Sequence, residues 1–478
     1  MTQVKTIQEY YDNIAQKRGK WLKRNKYYHR YLLNHYKKII PADATILELG
    51  CGTGNLIGKL ESSMGVGVDI SHRMLEIARK EYPEIEFIHG DIEHLDLGKR
   101  TFDYIIISGT LGNLQNIQQF LSDIKKYATH NTRLIIDFYN PLWNPVIRLG
   151  QKLGVKMPEV HRNWLSIDDI DNFLYMSGYQ SIKRNFILLF PKFIPIISFF
   201  LNHFIGKLPF IRRFSINHLL VARPFTAPGK PEDLSASVVI TCRDEEGNIE
   251  GLVERMPLMG ANTEIIFVEG HSTDNTVARI EEMIKKYPNK DIKLLKQKGI
   301  GQGDAFRYGF DKATGDLVMW LEADLTTPPE EASLFWETFV SGRGEYINGS
   351  RFIYKMKKSA MPLLNFLGNR FFGILFTMLL KQRFTDTLCG FKAISKHNYL
   401  KIREQIDYFG DFDPFGDFEL IFGAIKNNLK VAEVPVHYSP REYGESKAYG
   451  KSFFSFLKHA WLLLRMSWKA FVKFTLSL

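Results

Sequence analysis

At 478 residues, 45% hydrophobic and 24% charged, the chain is too long for one ordinary core and too apolar for a disordered protein, so two or three globular domains are expected. A formal charge of +11 points to anionic partners: nucleic acid, anionic lipid or phosphate-bearing substrates. Cys51, Cys242 and Cys389 are far apart and odd in number, which excludes a disulfide framework and a metal-ligand spacing and suits a reducing cytoplasm.

The opening stretch, MTQVKTIQEYYDNIAQKRGK, is polar and charged and lacks the apolar core of a secretory signal. The first forty residues, aromatic and basic, are expected to form helices over a sheet. From about residue 44 to residue 140, short β-branched runs (TILEL, GVGVDI, EFIHGD, DYIIIS, RLIIDF) alternate with charged segments of helical spacing. That is the pattern of a parallel sheet covered by helices. Residues 186–211 are unusually apolar, but Pro191, Lys192 and Pro195 interrupt them. No stretch supplies the uninterrupted run of about 18 apolar residues expected of a spanning helix. RPFTAPGKPEDL, residues 223–234, reads as a linker. The alternation then restarts with SVVITC, TEIIFVEG, KLLK, GDLVMWLEAD and EYINGS, the strands of a second α/β domain. The expected divisions are residues 1–222, a linker at 223–234, a second domain at 235–450 and a basic amphipathic tail at 451–478.

Residues 46–54 read ILELGCGTG, with Gly50, Gly52 and Gly54 between a strand and a helix. Glycines permit a sharp turn and close approach of a ligand to the backbone. Asp69 ends the next strand about twenty residues on, where a carboxylate can accept hydrogen bonds from ribose hydroxyls, and Asp91 lies in HGDI after a third strand. NAD also uses a glycine-rich loop. It is disfavoured by Glu48 ahead of the glycines, where a carboxylate would repel a pyrophosphate, by the spacing of the third glycine, and by the HGD element. Over roughly residues 10–180 these features resemble the class I S-adenosylmethionine (SAM)-dependent methyltransferases. The resemblance implies a Rossmann-like fold in which Glu48 and the glycine loop line the methionine end of SAM, Asp69 holds the ribose, and Asp91 with Ile92 faces the adenine. Tyr139, His161 and Trp164 are candidates for the acceptor side, with plain packing an equal reading for each.

After residue 235 an ordered set of signals follows. SVVITCRDEEGNI ends a strand with Asp244 and Glu245; IIFVEGHSTDNT ends the next with Glu269 and a loop carrying Asp274. A glycine-rich loop and a helix precede Glu322-Ala323-Asp324, and NGSRF, TDTLCGFKAI and VPVHYSPREYGESKAYG come later. Over about residues 236–450 this set resembles the family 2 glycosyltransferases of the GT-A α/β fold, above all dolichyl-phosphate mannose synthase and polyprenyl-phosphate relatives. The resemblance implies an inverting transferase in which Asp244, Glu245, Glu269 and Asp274 surround the donor nucleotide. Glu322 and Asp324 fall on the family's D-x-D, which holds Mg²⁺ or Mn²⁺ on the donor diphosphate, a charge that grows as the sugar bond breaks. Arg351, Arg441 and Lys447 fall on phosphate-facing positions, and Asp386 shapes the acceptor side. The chain departs from the family at Glu322, which replaces the first aspartate; at Glu269-Gly270, where the family has paired aspartates; and at Thr326, where a glutamine is common.

In the tail, Lys451, Lys458, Arg465, Lys469 and Lys473 fall on one helical stripe with Trp461, Leu464 and Trp468 among the apolar residues between them, a pattern suited to an anionic membrane surface or to docking on the protein's own core. LLNFLGNRFFGILFTMLL, residues 363–380, is a second apolar surface and 186–211 a third. No nucleic-acid motif is evident, so nucleic acid is not expected as a partner. The sequence therefore suggests a bifunctional enzyme in the cytoplasm, peripheral at the inner face of the membrane. One domain would move a sugar from a nucleotide-sugar donor to a polyprenyl-phosphate or related glycan acceptor, and the other would methylate a related glycan or lipid. The alternative is a polysaccharide-extending transferase with a SAM-binding regulatory domain.

Overall fold

A computed structural model describes residues 2–157, 163–208, 210–356, 360–405, 416–441, 443–444 and 453–476. The chain divides into two compact units, Met1–Phe225 and Thr226–Leu478.

The first unit is built on a seven-stranded sheet: β1 (Thr45–Leu49), β2 (Met64–Asp69), β3 (Glu86–His89), β4 (Phe102–Ser108), β5 (Ala128–Tyr139), β6 (Tyr179–Ile187) and β7 (Asn217–Pro224). The order is β3-β2-β1-β4-β5-β7-β6, with β1 to β5 parallel and β7 antiparallel to both its neighbours. Arg223 and Pro224, at the head of the proline-rich stretch, thus belong to the sheet. Both faces are apolar because both are covered. Leu47, Leu49, Ile105 and Ile107 enter one core, while Ile46, Tyr104 and Ile106 enter the other. The second core is closed by the helix Lys26–Lys37 through Leu32 and Tyr36, so the aromatic N-terminal segment is helical and lies over the sheet.

The second unit repeats the principle with a different sheet: β8 (Ala236–Cys242), β9 (Thr263–Glu269), β10 (Asp291–Lys296), β11 (Leu317–Glu322), β12 (Tyr346–Ser350), β13 (Lys392–Ser395) and β14 (Val431–Pro435). The order is β10-β9-β8-β11-β13-β12-β14, and β13 runs antiparallel between β11 and β12. Residues alternate between two cores, Val238 and Ile240 facing one and Val239 the other. In each sheet the first strand has parallel partners on both sides, β2 and β4 about β1, β9 and β11 about β8. Such a reversal of strand order opens a crevice at the carboxyl ends of the strands, where ligands of open α/β sheets bind.

The helix Leu363–Leu380 corrects one expectation: by length and composition it is apolar enough to cross a membrane. Asn369 and Arg370 break the apolar run in sequence, but Asn369 is buried with Phe372, Phe376 and Leu380 against the unit's own core, while Leu363, Leu367, Phe371 and Ile374 are exposed. The tail helix Phe453–Ala470 packs beside it. Leu463, Met466 and Ala470 enter the core, and Trp461, Leu464 and Trp468 face outward.

Candidate active sites

The glycine loop of the first unit is pinned by Gly50 N and Cys51 N, which donate to Val68 O on β2 at 2.8 and 3.0 Å. Gly50, Gly52 and Gly54 take φ of +81°, +56° and +69°, the left-handed region that favours glycine. At Gly50 a Cβ would also overlap Thr110 Oγ1, and at Gly54 it would sit 2.8 Å from the Phe87 ring. Asp69 closes the cradle. Its carboxylate accepts from Gly52 N at 2.7 Å and from Ser71 N at 2.9 Å, which fixes the loop after β1 to the end of β2.

Glu48, 3% exposed, accepts from Ile57 N at 3.0 Å. Burial pushes its carboxyl up to about 8, so the neutral acid dominates at pH 7 and a nearby cation would ionise it. Arg18, from the N-terminal helix Thr2–Arg24, reaches over the loop, with Nη2 3.3 Å from where a Cβ on Gly52 would lie. Its Nε is buried and lacks a hydrogen-bond partner. A cavity of about 1090 Å³ joins Glu48, Gly50, Gly52, Asp69, Asp91 and Ile92. Gly54 stands behind it as a packing position. Small-molecule pockets run about 300–1,000 Å³, so the cavity is large enough for a cofactor-sized ligand. Asp91 caps the turn Ile92–His94 by accepting from Glu93 N at 3.0 Å.

Of the three acceptor-side candidates, Tyr139 lines the cavity, stacked on Tyr28 at 6.2 Å; Trp164 does not line it, and His161 lies outside the described residues. Sequence reading missed Arg18, Tyr28, His29 and Asp137, all of which line the cavity. Tyr36 Oη donates to Asp137 at 2.7 Å and Asn217 Nδ2 donates at 3.2 Å, an arrangement assembled from three distant segments. Burial, with Arg18 adding to it, lowers His29 to about 4, leaving a neutral imidazole.

In the second unit the candidate carboxylates lie at the carboxyl ends of three adjacent parallel strands. Glu245 follows β8, Glu269 ends β9, and Glu322 ends β11, beside Thr241 of β8. Arg441 gathers two of the candidates: Nη2 donates to Asp324 Oδ2 at 2.7 Å and Nη1 to Glu245 Oε1 at 3.2 Å. Asp324 Oδ1 accepts from Thr326 N at 3.1 Å and Thr326 Oγ1 at 2.7 Å, so the threonine orients the carboxylate. Glu322 accepts from Gln302 Nε2 at 2.7 Å; burial first, then the Asp324 charge, raises its pKa. A buried carboxylate beside a second carboxylate is a place where a cation is stabilised, and the Arg441 guanidinium supplies that charge here.

The remaining candidates are committed to other partners. Asp244 accepts from Thr273 N at 2.6 Å with φ of +48°, and Glu269 accepts from Ser272 N. Asp274 spends its oxygens inside the loop, on Thr276 N at 3.0 Å and Glu246 N at 3.3 Å. Arg351 forms a bidentate pair with Asp386, Nε to Oδ2 at 2.7 Å and Nη2 to Oδ1 at 2.9 Å, at 10% and 0% side-chain exposure. Lys447 lies outside the described residues. Among the described residues no group of three His, Cys, Asp or Glu side chains is placed to hold a metal ion.

Residues 237–401 match the family model "Glycosyl transferase family 2", and residues 46–130 match "Methyltransferase domain". The chain is 32% identical over 237 residues to a dolichol-phosphate mannosyltransferase of Pyrococcus furiosus, an alignment covering 48% of this chain and 64% of the relative. The chain thus spans less than two thirds of that relative's length. Among solved structures, a SAM-dependent methyltransferase from Thermotoga maritima aligns at 16% identity, 46% of this chain, 99% of the other and a TM-score of 0.36. The magnesium protoporphyrin IX methyltransferase of Synechocystis aligns at 15% identity, with 46% and 99% coverage and a TM-score of 0.32. The fold of the first unit rests on its own strand order rather than on these likenesses.

Proposed function

We propose that a chain joining a methyltransferase domain to a family 2 glycosyltransferase domain works as two transferases. The second unit moves a sugar from a nucleoside-diphosphate donor to a polyprenyl phosphate, and the first transfers a methyl group from SAM to a related glycan or lipid. The reading rests most on one observation: Glu245 and Asp324 meet at one guanidinium, with Glu322 beside Asp324, at the carboxyl ends of β8 and β11. The relative from Pyrococcus furiosus supports the choice of acceptor.

Glu322 and Asp324 would hold Mg²⁺ or Mn²⁺, which when bound neutralises charge on the leaving diphosphate. Asp244, Glu245 and Glu269 would line the nucleotide side, with Asp274 shaping the loop that carries them. Arg441 and Lys447 would bind phosphate oxygens of the donor. Arg351, paired bidentately with Asp386, would keep the acceptor side rigid. A phosphate acceptor is already largely anionic near pH 7, so it needs placement more than a strong base.

In the first unit, Glu48, the glycine loop and Arg18 would receive the methionine end of SAM, the half-buried guanidinium facing a carboxylate and the Glu48 carboxyl facing a cation. Asp69 and Asp91 with Ile92 would receive ribose and adenine. SAM supplies an electrophilic methyl when bound; the protein's part is to orient it and the acceptor in line. The exposed apolar faces of the helices 363–380 and 453–470 suit a peripheral position on the cytoplasmic membrane surface.

A thermal-shift panel of UDP- and GDP-sugars with Mn²⁺ identifies the donor. Transfer assays then offer polyprenyl phosphate beside a free glycan. Sugar appearing on the lipid phosphate supports the reading, and sugar appearing only on the glycan overturns its acceptor.

A further inference from the structure

The cavity of the first unit opens beside an unusual surface. Leu189, Phe190, Pro191 and Lys192 line it, and directly after them Phe193, Ile196, Phe200, Phe210 and Phe214 are 66%, 76%, 53%, 83% and 56% exposed. On the other flank Val146 and Ile147 line the cavity, and Leu142, Val146, Leu149 and Leu153 of the same turn and helix are 64%, 55%, 56% and 68% exposed. The two flanks form one surface: Trp143 Nε1 donates to Phe214 O at 2.7 Å, and Asn140 Nδ2 donates to Arg213 O at 2.8 Å. The first flank is also built rigidly onto the unit. Buried Asn202 donates to Tyr27 Oη at 3.0 Å and Phe190 O at 2.9 Å, and Lys192 Nζ donates to Asn25 Oδ1 at 3.0 Å. So large an apolar surface on a folded protein marks an interaction site.

Charge selects the partner. From Tyr139 to Met157 and from Phe186 to Asn217 the sequence has no acidic residue, while Arg148, Lys152, Lys156, Lys192, Lys207, Arg212 and Arg213 fall within those segments. Aromatic and aliphatic side chains whose own segments carry only cations match the headgroup layer of an anionic bilayer. A protein partner would be expected to meet some charge of each sign.

We propose that the methyltransferase unit docks on anionic membrane through this surface, so that its cavity opens toward the bilayer and its methyl acceptor is borne on a lipid. The inference rests on the methyltransferase reading of this unit and supplies the substrate class that reading leaves open. It is independent of any docking by the second unit.

The three native cysteines are buried, so an engineered exposed cysteine can carry an environment-sensitive fluorophore in the full chain. Phe210→Cys places the probe on the proposed surface. Tyr175→Cys, 71% exposed on the helix Ile167–Met176, whose buried residues enter the core on the opposite face of the sheet, is the control. Vesicles of phosphatidylcholine containing phosphatidylglycerol should raise and blue-shift the emission at 210 several-fold and leave 175 unchanged. A silent probe at 210, even where the second unit binds the vesicles, overturns the proposal. Labelled SAM with vesicles of a total lipid extract then gives a second readout: Phe210→Glu with Phe214→Glu should cut methyl incorporation into lipid at least tenfold with SAM affinity unchanged, and undiminished incorporation also overturns it. Titration with SAM separates the two claims, because absence of SAM binding in the native chain removes the methyltransferase reading whatever the probe reports.

Discussion

The two candidate sites use the same place in an open α/β sheet, the crevice where strand order reverses, and prepare it in opposite ways. In the first unit the backbone does the work: left-handed glycines, pinned to β2 and tied by Asp69, leave a cavity of about 1090 Å³ ready to receive a ligand. In the second, side-chain charge does it: Asp324 and Glu245 are closed on Arg441, and a ligand has to replace a partner already present. A backbone cradle discriminates by shape, whereas a charge cluster discriminates by what can neutralise it.

The contrast can be broken at the charge cluster first. Asp324→Ala should abolish sugar transfer, a loss of at least about 10³-fold, because a neighbouring carboxylate alone does not hold a divalent cation on a diphosphate. Turnover with and without Mn²⁺ checks this. Next in size is Arg351→Ala. It leaves the fully buried Asp386 carboxylate unpaired, and removing one partner of a buried pair costs about 3–5 kcal/mol. Thermal unfolding should show it as a lower Tm, whether or not donor is present.

At the backbone cradle, Gly50→Ala should weaken SAM binding about 100-fold by calorimetry, because the methyl group must enter a left-handed conformation and displace the Thr110 side chain. Thr110→Ala in the same chain should restore only part of it. Glu48 gives a smaller effect with a definite sign. Its carboxyl keeps its proton up to about 8, and a bound cation would ionise it, so SAM affinity should rise with pH by at most about tenfold per unit and level off near 8. Glu48→Gln should flatten that slope. In the ligand-free protein the linkage runs the other way. The unfolded chain loses this proton near the ordinary glutamate value of 4.5 and the folded chain near 8, so stability falls as pH rises across that window. The smallest effect sharpens the comparison: Arg441→Gln should raise Mn²⁺ affinity of the donor-free protein several-fold while lowering transfer, since the guanidinium no longer competes for Asp324.

The strands, the glycine loop and the strand-end acids were legible in sequence because each is a local pattern: alternation of apolar residues, or glycine after a strand. Residues brought in from a distance were not legible. Arg441 and Asp324 are 117 positions apart, Tyr36 and Asp137 are 101 apart, and nothing in QKRGK marks Arg18 as the residue that reaches the loop. Asp274 teaches the converse lesson. A polar residue in a promising loop spends its hydrogen bonds on the turn that makes the loop. The tail helix docks one face on the unit's own core, as one reading of its stripe expected, and leaves Trp461, Leu464 and Trp468 exposed, while Lys451 lies outside the described residues.

Cation binding at the second site tests the account most directly. Mn²⁺ titrated by electron paramagnetic resonance into the full chain, with and without the nucleotide sugar selected by thermal shift, should show tight binding only when donor is present. That binding should be lost in Asp324→Ala. Tight binding that persists in the variant, or sugar transfer that survives complete chelation of divalent ions, would contradict it.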